Sequence, residues 1–403
     1  EHAMRIALFT EGYHPYLNGV VTSIETQRAA LARAGHQVTI FAPSYPGHHD
    51  RDEAVVRLPS IGWGRECYRL LSPLARARDV LAGGRFDIVH SHHPFTMGAL
   101  AVRLARKHDL PLVYTFHTML HEYGHYASLL APVAQRWLVR RYLRHCEAAA
   151  RVVVATRAVR DVLQQQGMRR PIEIVAQGVP AVEPAADARV CVRRALGVPE
   201  AVPLLLYVGR LAQEKGLDLL LRSVARLDGG RPFRLCLVGG GPMERRLRAQ
   251  AISLGLGARV TFAGWVPHAR VADYYAAADL FVFPSPTDAM GLVLVEAMSA
   301  GLPCVAIDRY GPSEVVVDGL TGFVTPFDER AFSGAIRPLL EDASLRERMS
   351  LLARARARDY EPEMMAARLV RVYAEAIAGH APRRMAALGP TMPAEPCAQG
   401  ERP

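Results

Sequence analysis

The chain has 403 residues, half of them hydrophobic and 22% charged, which predicts two or three globular domains and excludes a small disulfide scaffold or a peptide module. No stretch approaches the roughly 20 unbroken apolar residues of a membrane span. Net charge is +10 and most of it falls in residues 1–185, with 22 basic against 15 acidic residues, so an anionic partner is expected: a nucleotide, a phospholipid surface or nucleic acid.

In chain order, Arg5-Ile6-Ala7-Leu8-Phe9 reads as a strand, 19–34 as a helix and 37–42 as a second strand. The alternation continues with a strand at 87–90, a helix at 97–107 and a strand at 112–115. Continuous apolar strands separated by helices predict a parallel, doubly wound sheet buried on both faces. Gly178-Val179-Pro180-Ala181-Val182-Glu183-Pro184 interrupts the pattern and reads as a linker. Strands at 203–208, 233–238, 260–262, 280–283 and 304–306 then predict a second such sheet. Residues 363–379 read as one more helix, and the Pro/Ala-rich stretch 381–403 as a disordered tail. The expected fold is α/β, with two Rossmann-like doubly wound domains facing across a cleft: residues 4–180, completed by the helix 363–379, and residues 186–360. Ligands of such sheets bind beyond the carboxyl ends of the strands, which places the site between the lobes.

Cys67, Cys146, Cys191, Cys236, Cys304 and Cys397 form no Cys-x-x-Cys pair, and several sit in apolar runs, which reads as reduced, structural thiols. No leader precedes Met4, and Glu1-His2-Ala3 looks like a cloning remnant, so the expected location is the cytoplasm.

In the first half, Thr10 to Val21 joins a strand to a helix, and Gly19 at the helix start is either a plain turn or a place where backbone approaches a phosphate. Asp87 to Phe95 ends a strand in His90, His92 and His93; His92 or His93 either lines the cleft or satisfies loop carbonyls. Val113 to Thr118 ends the next strand, with His117 at the cleft edge. His121-Glu122-Tyr123-Gly124-His125 matches the zinc-protease pattern, but its glycine disfavours the helix that would put both histidines on one face, and no zinc site is expected. Asp50-Arg51-Asp52 imitates a metal-binding Asp-x-Asp, yet it lies in a polar loop and reads as a solvated turn. Arg136 to His145 is a basic, aromatic helix that either lies on anionic lipid or is an ordinary amphipathic helix. Arg65, Arg69, Arg76 and Arg78 make a second basic stretch in the same lobe.

In the second half, Tyr207-Val208-Gly209-Arg210-Leu211-Ala212-Gln213-Glu214-Lys215-Gly216 places two cations at the mouth of a helix. Cations there oppose the helix dipole, which predicts an anion between them; a solvated basic loop is the alternative. Lys215 is one of only two lysines, with Lys107. Pro284 to Gly301 reads as a strand end, a glycine-bearing loop and a helix opening near Gly291, so backbone amides point into the cleft and suit a diphosphate. Asp288 and Glu296 are either caps and solvated acids near a helix start or, at this spacing, one acid that grips a sugar and one that grips a ribose.

The strand with Arg210 and Lys215, the Gly239-Gly240-Gly241-Pro242 turn, the Pro284-Ser285 loop and the spaced acids ending in Glu296-Ala297-Met298 together resemble glycosyltransferase family 4. These are retaining enzymes of the GT-B fold that use nucleotide-diphosphate sugars, and the resemblance covers Met4 to about Ala378. It implies that Arg210 and Lys215 neutralise the donor diphosphate and that Glu296 binds the ribose. It also implies that Asp288, with the backbone of Met290, Gly291, Leu292 and Val293, holds the donor sugar and phosphates. Gly19 becomes a donor or acceptor contact, Gly240 and Val266 further donor contacts, and His117 the catalytic-site histidine, near the sugar 6-hydroxyl. The family usually has glutamate at Asp288 and often an aromatic at Met290, so the sugar pocket is altered. The stretch Glu122-Tyr123-x-His125-Tyr126 is similar to the lipid-glycosylating branch that includes diacylglycerol glucosyltransferases, which makes His92, Glu122, Tyr123, His125 and Tyr126 the acceptor candidates.

The expected activity is transfer of a hexose, glucose from UDP-glucose, onto a lipid such as diacylglycerol, by an enzyme peripheral on the inner face of the cell membrane. No metal or other cofactor and no nucleic-acid partner is expected. A family 4 enzyme with GDP-mannose, UDP-galactose or UDP-GlcNAc and a soluble or polysaccharide-precursor acceptor is the alternative. A nucleotide-sugar-binding protein without catalysis is another.

Overall fold

Parallel strand pairing organises the chain in this computed structural model, which describes residues 3–16, 18–62, 69–117, 131–181, 183–227 and 230–387. The first half contributes β1 (Arg5–Phe9), β2 (Gln37–Pro43), β3 (Val55–Leu58), the antiparallel hairpin β4 (Ser60–Gly62) and β5 (Arg69–Leu71), β6 (Ile88–Ser91), β7 (Leu112–Phe116), β8 (Arg151–Val154) and β9 (Ile172–Ile174). The second contributes β10 (Leu204–Val208), β11 (Arg234–Val238), β12 (Val260–Gly264), β13 (Leu280–Phe283), β14 (Cys304–Ile307) and β15 (Gly322–Thr325). The sheets run β3-β2-β1-β6-β7-β8-β9 and β12-β11-β10-β13-β14-β15, parallel throughout.

Why the strands read as unbroken apolar runs is visible in β1. Ala7 and Phe9 pack into the core on one face, with Leu100 and Leu104 of the helix Thr96–Lys107. Ile6 and Leu8 pack into the other, with Ile24 and Leu31 of the helix Gly19–Arg33. Both faces are covered, so neither tolerates polar alternation. β10, Leu204-Leu205-Leu206-Tyr207-Val208, is buried along its whole length in the second lobe's core.

After the second sheet the chain returns to the first. The helix Pro362–Ala387 brings Met365, Leu369 and Tyr373 onto the core beside Ile24 and Leu31. It continues past 379, so 381–387, expected as the start of a disordered tail, are helical, while 388–403 lie outside the described residues. No helix among the described residues is long and apolar enough to cross a membrane.

Strand order reverses between β1 and β6 and again between β10 and β13, and loops diverging at such a switch point open a crevice at the carboxyl ends of the strands. The lobes are also clasped. Thr156 precedes the helix Arg157–Gln165 but makes no side-chain cap bond; its hydroxyl donates instead to the carbonyl of Ala289 at 3.0 Å. The cap comes from the other lobe: Glu314 accepts from the amides of Arg157 and Ala158 at 3.0 and 2.6 Å. A carboxylate on first-turn amides is favoured by hydrogen bonding and by the helix dipole together. Glu314→Ala should therefore destabilise the protein by about 1 kcal/mol, read as a lower urea midpoint at unchanged slope. An unchanged midpoint would show that the cap contributes nothing.

Candidate active site

The loop after β13 is built to present backbone. Gly291 has φ +83°, a left-handed conformation that side chains rarely adopt, and it starts the helix Leu292–Ser299. Among the described residues no side chain caps this helix; the amide of Leu294 donates to the carbonyl of Gly291 at 3.0 Å, and the amides of Leu292 and Val293 and the positive end of the dipole are left for a ligand. Gly311 holds the loop from behind, where a Cβ would lie 2.1 Å from the carbonyl oxygen of Ala289 and 2.3 Å from Cα of Met290. The side chain of Met290 is buried in the core, so only its backbone can meet a ligand. Opposite stands Gly19, whose Cβ position is 3.8 Å from Leu292 Cδ1. The first-lobe helix differs in one respect: Asn18 Oδ1 already accepts from the amides of Val20 and Val21, at 2.9 and 3.0 Å. Gly19 thus permits close approach, whereas the uncapped donors are on Leu292–Ser299.

Both cations after β10 reach the crevice already partnered. Lys215, in the short turn Gln213–Lys215, donates from Nζ to both carboxylate oxygens of Asp288 at 2.8 Å. Arg210 bonds Glu214, whose carboxylate has no exposure, although Arg210 itself is half exposed. The anion that the sequence predicts between the cations is in part the protein's own: two carboxylates compensate the charge that faces the helix dipole. Ser285 and Thr287 donate to the carbonyl of Glu214 at 3.4 and 3.3 Å, tying the cationic turn to the acidic loop.

Glu296 lies one turn inside its helix. Tyr275 donates to its Oε2 at 2.8 Å, and His268 Nε2 stands 3.8 Å from Oε1, where the carboxylate raises the imidazole above its ordinary range. Glu296 and His268, with Thr22, Gly178, Pro180 and Leu292, line a cavity between the lobes. Gly240, after β11, has open space where a side chain would be, and its carbonyl accepts from the amide of Leu211. Val266 is half-buried beside the exposed Trp265, ahead of the helix His268–Ala277.

Histidines crowd the ends of β6 and β7. His117 Nδ1 is 2.9 Å from the side-chain nitrogen of Gln177, and its Nε2 is 2.6 Å from Nδ1 of His92. Burial lowers His117 to about 3 and holds His92 well below its usual value, so both are neutral at pH 7. His92, expected on the acceptor side of the cleft, is 2% exposed and stands behind His117, just after β6, with its ring centroid 4.2 Å from that of His90. His93 is held by the amide of Glu11 and the hydroxyl of Thr10.

Glu122, Tyr123, His125 and Tyr126, and with them the zinc-like pattern, lie outside the described residues. Asp50 is bonded by Arg57 at 2.6 and 2.8 Å and Asp52 by Arg28, so both acids of the Asp-x-Asp imitation hold arginines. Among the described residues no group of three or more His, Cys, Asp or Glu could hold a metal ion. In the helix Ala131–Ala148, Tyr142 turns into the core and bonds Gln166, so its ring is not available to a membrane; Arg140 and Arg144 are exposed. Cys146, Cys236 and Cys304 are buried free thiols, Cys191 is exposed and free, and Cys67 and Cys397 lie outside the described residues. Gln177, Glu214 and Glu11 were not anticipated as site residues.

Two family models match the chain in tandem: Glycosyltransferase Family 4 over residues 17–182 and Glycosyl transferases group 1 over 192–356. The chain is 28% identical over 348 residues to an alpha-monoglucosyldiacylglycerol synthase of Streptococcus pneumoniae, covering 83% of this chain and 77% of that protein. It is 32% identical over 316 residues to a D-inositol 3-phosphate glycosyltransferase of Xylanimonas cellulosilytica, covering 75% of each. Among solved structures, a sucrose-phosphate synthase from Thermosynechococcus elongatus superposes with a TM-score of 0.74 at 25% identity, over 93% of this chain and 100% of that one.

Proposed function

We propose, from the premise that this chain belongs to glycosyltransferase family 4 and has the GT-B fold, that it transfers glucose from UDP-glucose, with retention, onto a diacylglycerol-type lipid. The observation that carries the reading is the juxtaposition at the cleft of Lys215, Asp288 and the uncapped start of Leu292–Ser299. Lys215 and the amides meet the negative charge that grows on the leaving diphosphate, so the reaction needs no metal ion. Asp288 accepts sugar hydroxyls and Glu296 the ribose hydroxyls. The acceptor oxygen attacks C1 from the face the phosphate leaves, the bond from C1 to the phosphate oxygen breaks, and the acceptor proton passes to that phosphate. Neither acid is required as a covalent nucleophile.

Glucose and diacylglycerol are supported by similarity to the pneumococcal protein, and a lipid surface by the first lobe. Leu74 is 83% exposed beside the exposed Arg76 and Arg78, and Arg140 and Arg144 point outward from the basic helix. Such an apolar and cationic mixture suits anionic headgroups. A second reading, transfer to a soluble inositol phosphate, is favoured by the greater identity to the Xylanimonas protein.

The protein is to be incubated with UDP-glucose, UDP-galactose, UDP-GlcNAc or GDP-mannose, each with diacylglycerol in phosphatidylglycerol vesicles or with D-inositol 3-phosphate in solution, and products weighed by mass spectrometry. A hexosyl-diacylglycerol formed only with UDP-glucose is expected. Product on the inositol phosphate alone, or from GDP-mannose alone, overturns the reading in favour of the second acceptor or donor.

A further inference from the structure

Both ring nitrogens of His117 are engaged: Nδ1 by the amide of Gln177 and Nε2 by Nδ1 of His92. Two neutral imidazoles that meet nitrogen to nitrogen share one proton, so fixing one tautomer fixes the other. His92 packs against His90 with ring centroids 4.2 Å apart and the rings tilted by 38°, and His90 is pinned at both nitrogens by Tyr373 at 2.7 Å and Thr115 at 2.6 Å.

Two proton arrangements satisfy these contacts. In the first, the Gln177 NH2 donates to Nδ1, His117 donates from Nε2 to His92, and the proton of His92 is left on its own Nε2. That atom is buried and has no hydrogen-bond partner among the described residues. In the second, a half-turn of the Gln177 amide lets its oxygen accept from Nδ1–H, His117 Nε2 accepts from Nδ1–H of His92, and only a lone pair is left at His92 Nε2. A half-turn exchanges oxygen and nitrogen at almost unchanged positions. A buried N–H without a partner is rarer and costlier than an under-used acceptor, so the second arrangement wins.

We propose that Gln177 and His92 are positioning residues that hold His117 as the Nδ1–H tautomer, so that its Nε2 lone pair accepts from a donor-sugar hydroxyl once that hydroxyl displaces His92. The opposite tautomer would present N–H to the sugar and could only donate. Gln177 immediately precedes Gly178, where the linker between lobes begins and where a Cβ would lie 2.8 Å from Cα of Pro362, so the residue that sets the tautomer is anchored where the chain crosses between sheets. The catalytic part of this inference rests on the glycosyl-transfer reading; the tautomer does not.

The test is a long-range 15N–1H correlation spectrum of the histidine-labelled full chain at pH 8, which separates protonated from bare ring nitrogens without any substrate. A proton on Nδ1 and none on Nε2 of His117 is expected. Gln177→Glu, which can only accept, should keep that tautomer, whereas Gln177→Ala should release it. For whichever donor is turned over, Gln177→Ala should lower kcat about tenfold with donor KM changed less than about threefold, and Gln177→Glu should restore kcat to within about threefold of the parent. A proton on Nε2 of His117 in the parent, or release of the tautomer by Gln177→Glu, overturns the proposal whatever the chain transfers. If Gln177→Ala fails to fold, the parent and Gln177→Glu spectra still decide it. The expected tautomer without glucose transfer leaves this inference standing and removes only the donor assignment.

Discussion

Lys215→Ala should lower kcat/KM for the nucleotide-sugar donor by about 10²–10³-fold, equivalent to ~3–4 kcal/mol of lost transition-state stabilisation. The size follows from preorganisation. Lys215 is held in place before any ligand arrives, by a two-pronged contact to Asp288 at 2.8 Å and by a turn whose carbonyl at Glu214 is bonded from Ser285 and Thr287. An arriving diphosphate changes the partner of the ammonium group and not its position, so little reorganisation is needed as charge develops. Only 15% of the lysine side chain is exposed, which strengthens its field relative to a surface lysine. Arg210, half exposed and bonded to Glu214, is expected to matter less. Lys215→Arg should not rescue, because a planar fork does not occupy the space of a point charge. Steady-state kinetics with the turned-over donor, alongside titration with UDP alone, gives the measurement. Retention of activity within tenfold of the parent would mean that the charge on the leaving group is met elsewhere.

What the amino-acid order revealed of this arrangement follows burial. β10 and β13 are central strands covered on both faces, so they stand out as unbroken apolar runs, and the loops at their ends could be located from them. The edge strands β3, β9, β12 and β15 are less completely buried. β9 is three half-buried residues with Glu173 in the middle, and β3 carries Arg57, whose guanidinium holds Asp50; neither has a periodicity to detect. The same logic separates the site residues. Glycines and spaced acids declare themselves because their conformation or charge is costly anywhere else. Gln177 shows nothing in its neighbourhood, since its role depends on a ring 60 positions away. Glu214 did carry a signal, an acid four residues after Arg210, but its total burial is a property of the fold. The aromatic helix kept both readings open for the converse reason: Tyr142 has the composition of an interfacial residue, and packing against Phe116 takes it inward.

Glu11→Gln should remove a pH dependence of stability worth roughly 3 kcal/mol between pH 4.5 and 7. The Glu11 carboxyl stands at the end of β1, with Oε1 accepting from the amide of Met97 at 2.8 Å and the hydroxyl of Thr96 at 2.9 Å, at the start of the helix Thr96–Lys107. Burial raises its pKa from 4.5 to about 7, against the lowering effect of those hydrogen bonds, and Oε2 is buried without a partner among the described residues. The folded protein therefore binds this proton more tightly than the unfolded chain does. The corresponding stability is fully present below about pH 4.5 and is lost as pH rises through about 7. Neighbouring His90, His93 and His117 give the opposite slope, because burial lowers them to about 3, 4 and 3 and they resist protonation in the folded state. That contribution is common to parent and variant and largely cancels in the difference. Glutamine keeps the acceptor for Met97 and Thr96 but cannot ionise, so urea unfolding of the two proteins should give stabilities that diverge in favour of the variant as pH rises from 4.5 to 7.5. Parallel stability curves across that range would show that the folded and unfolded states bind this proton equally, the hydrogen bonds from Met97 and Thr96 having offset the burial.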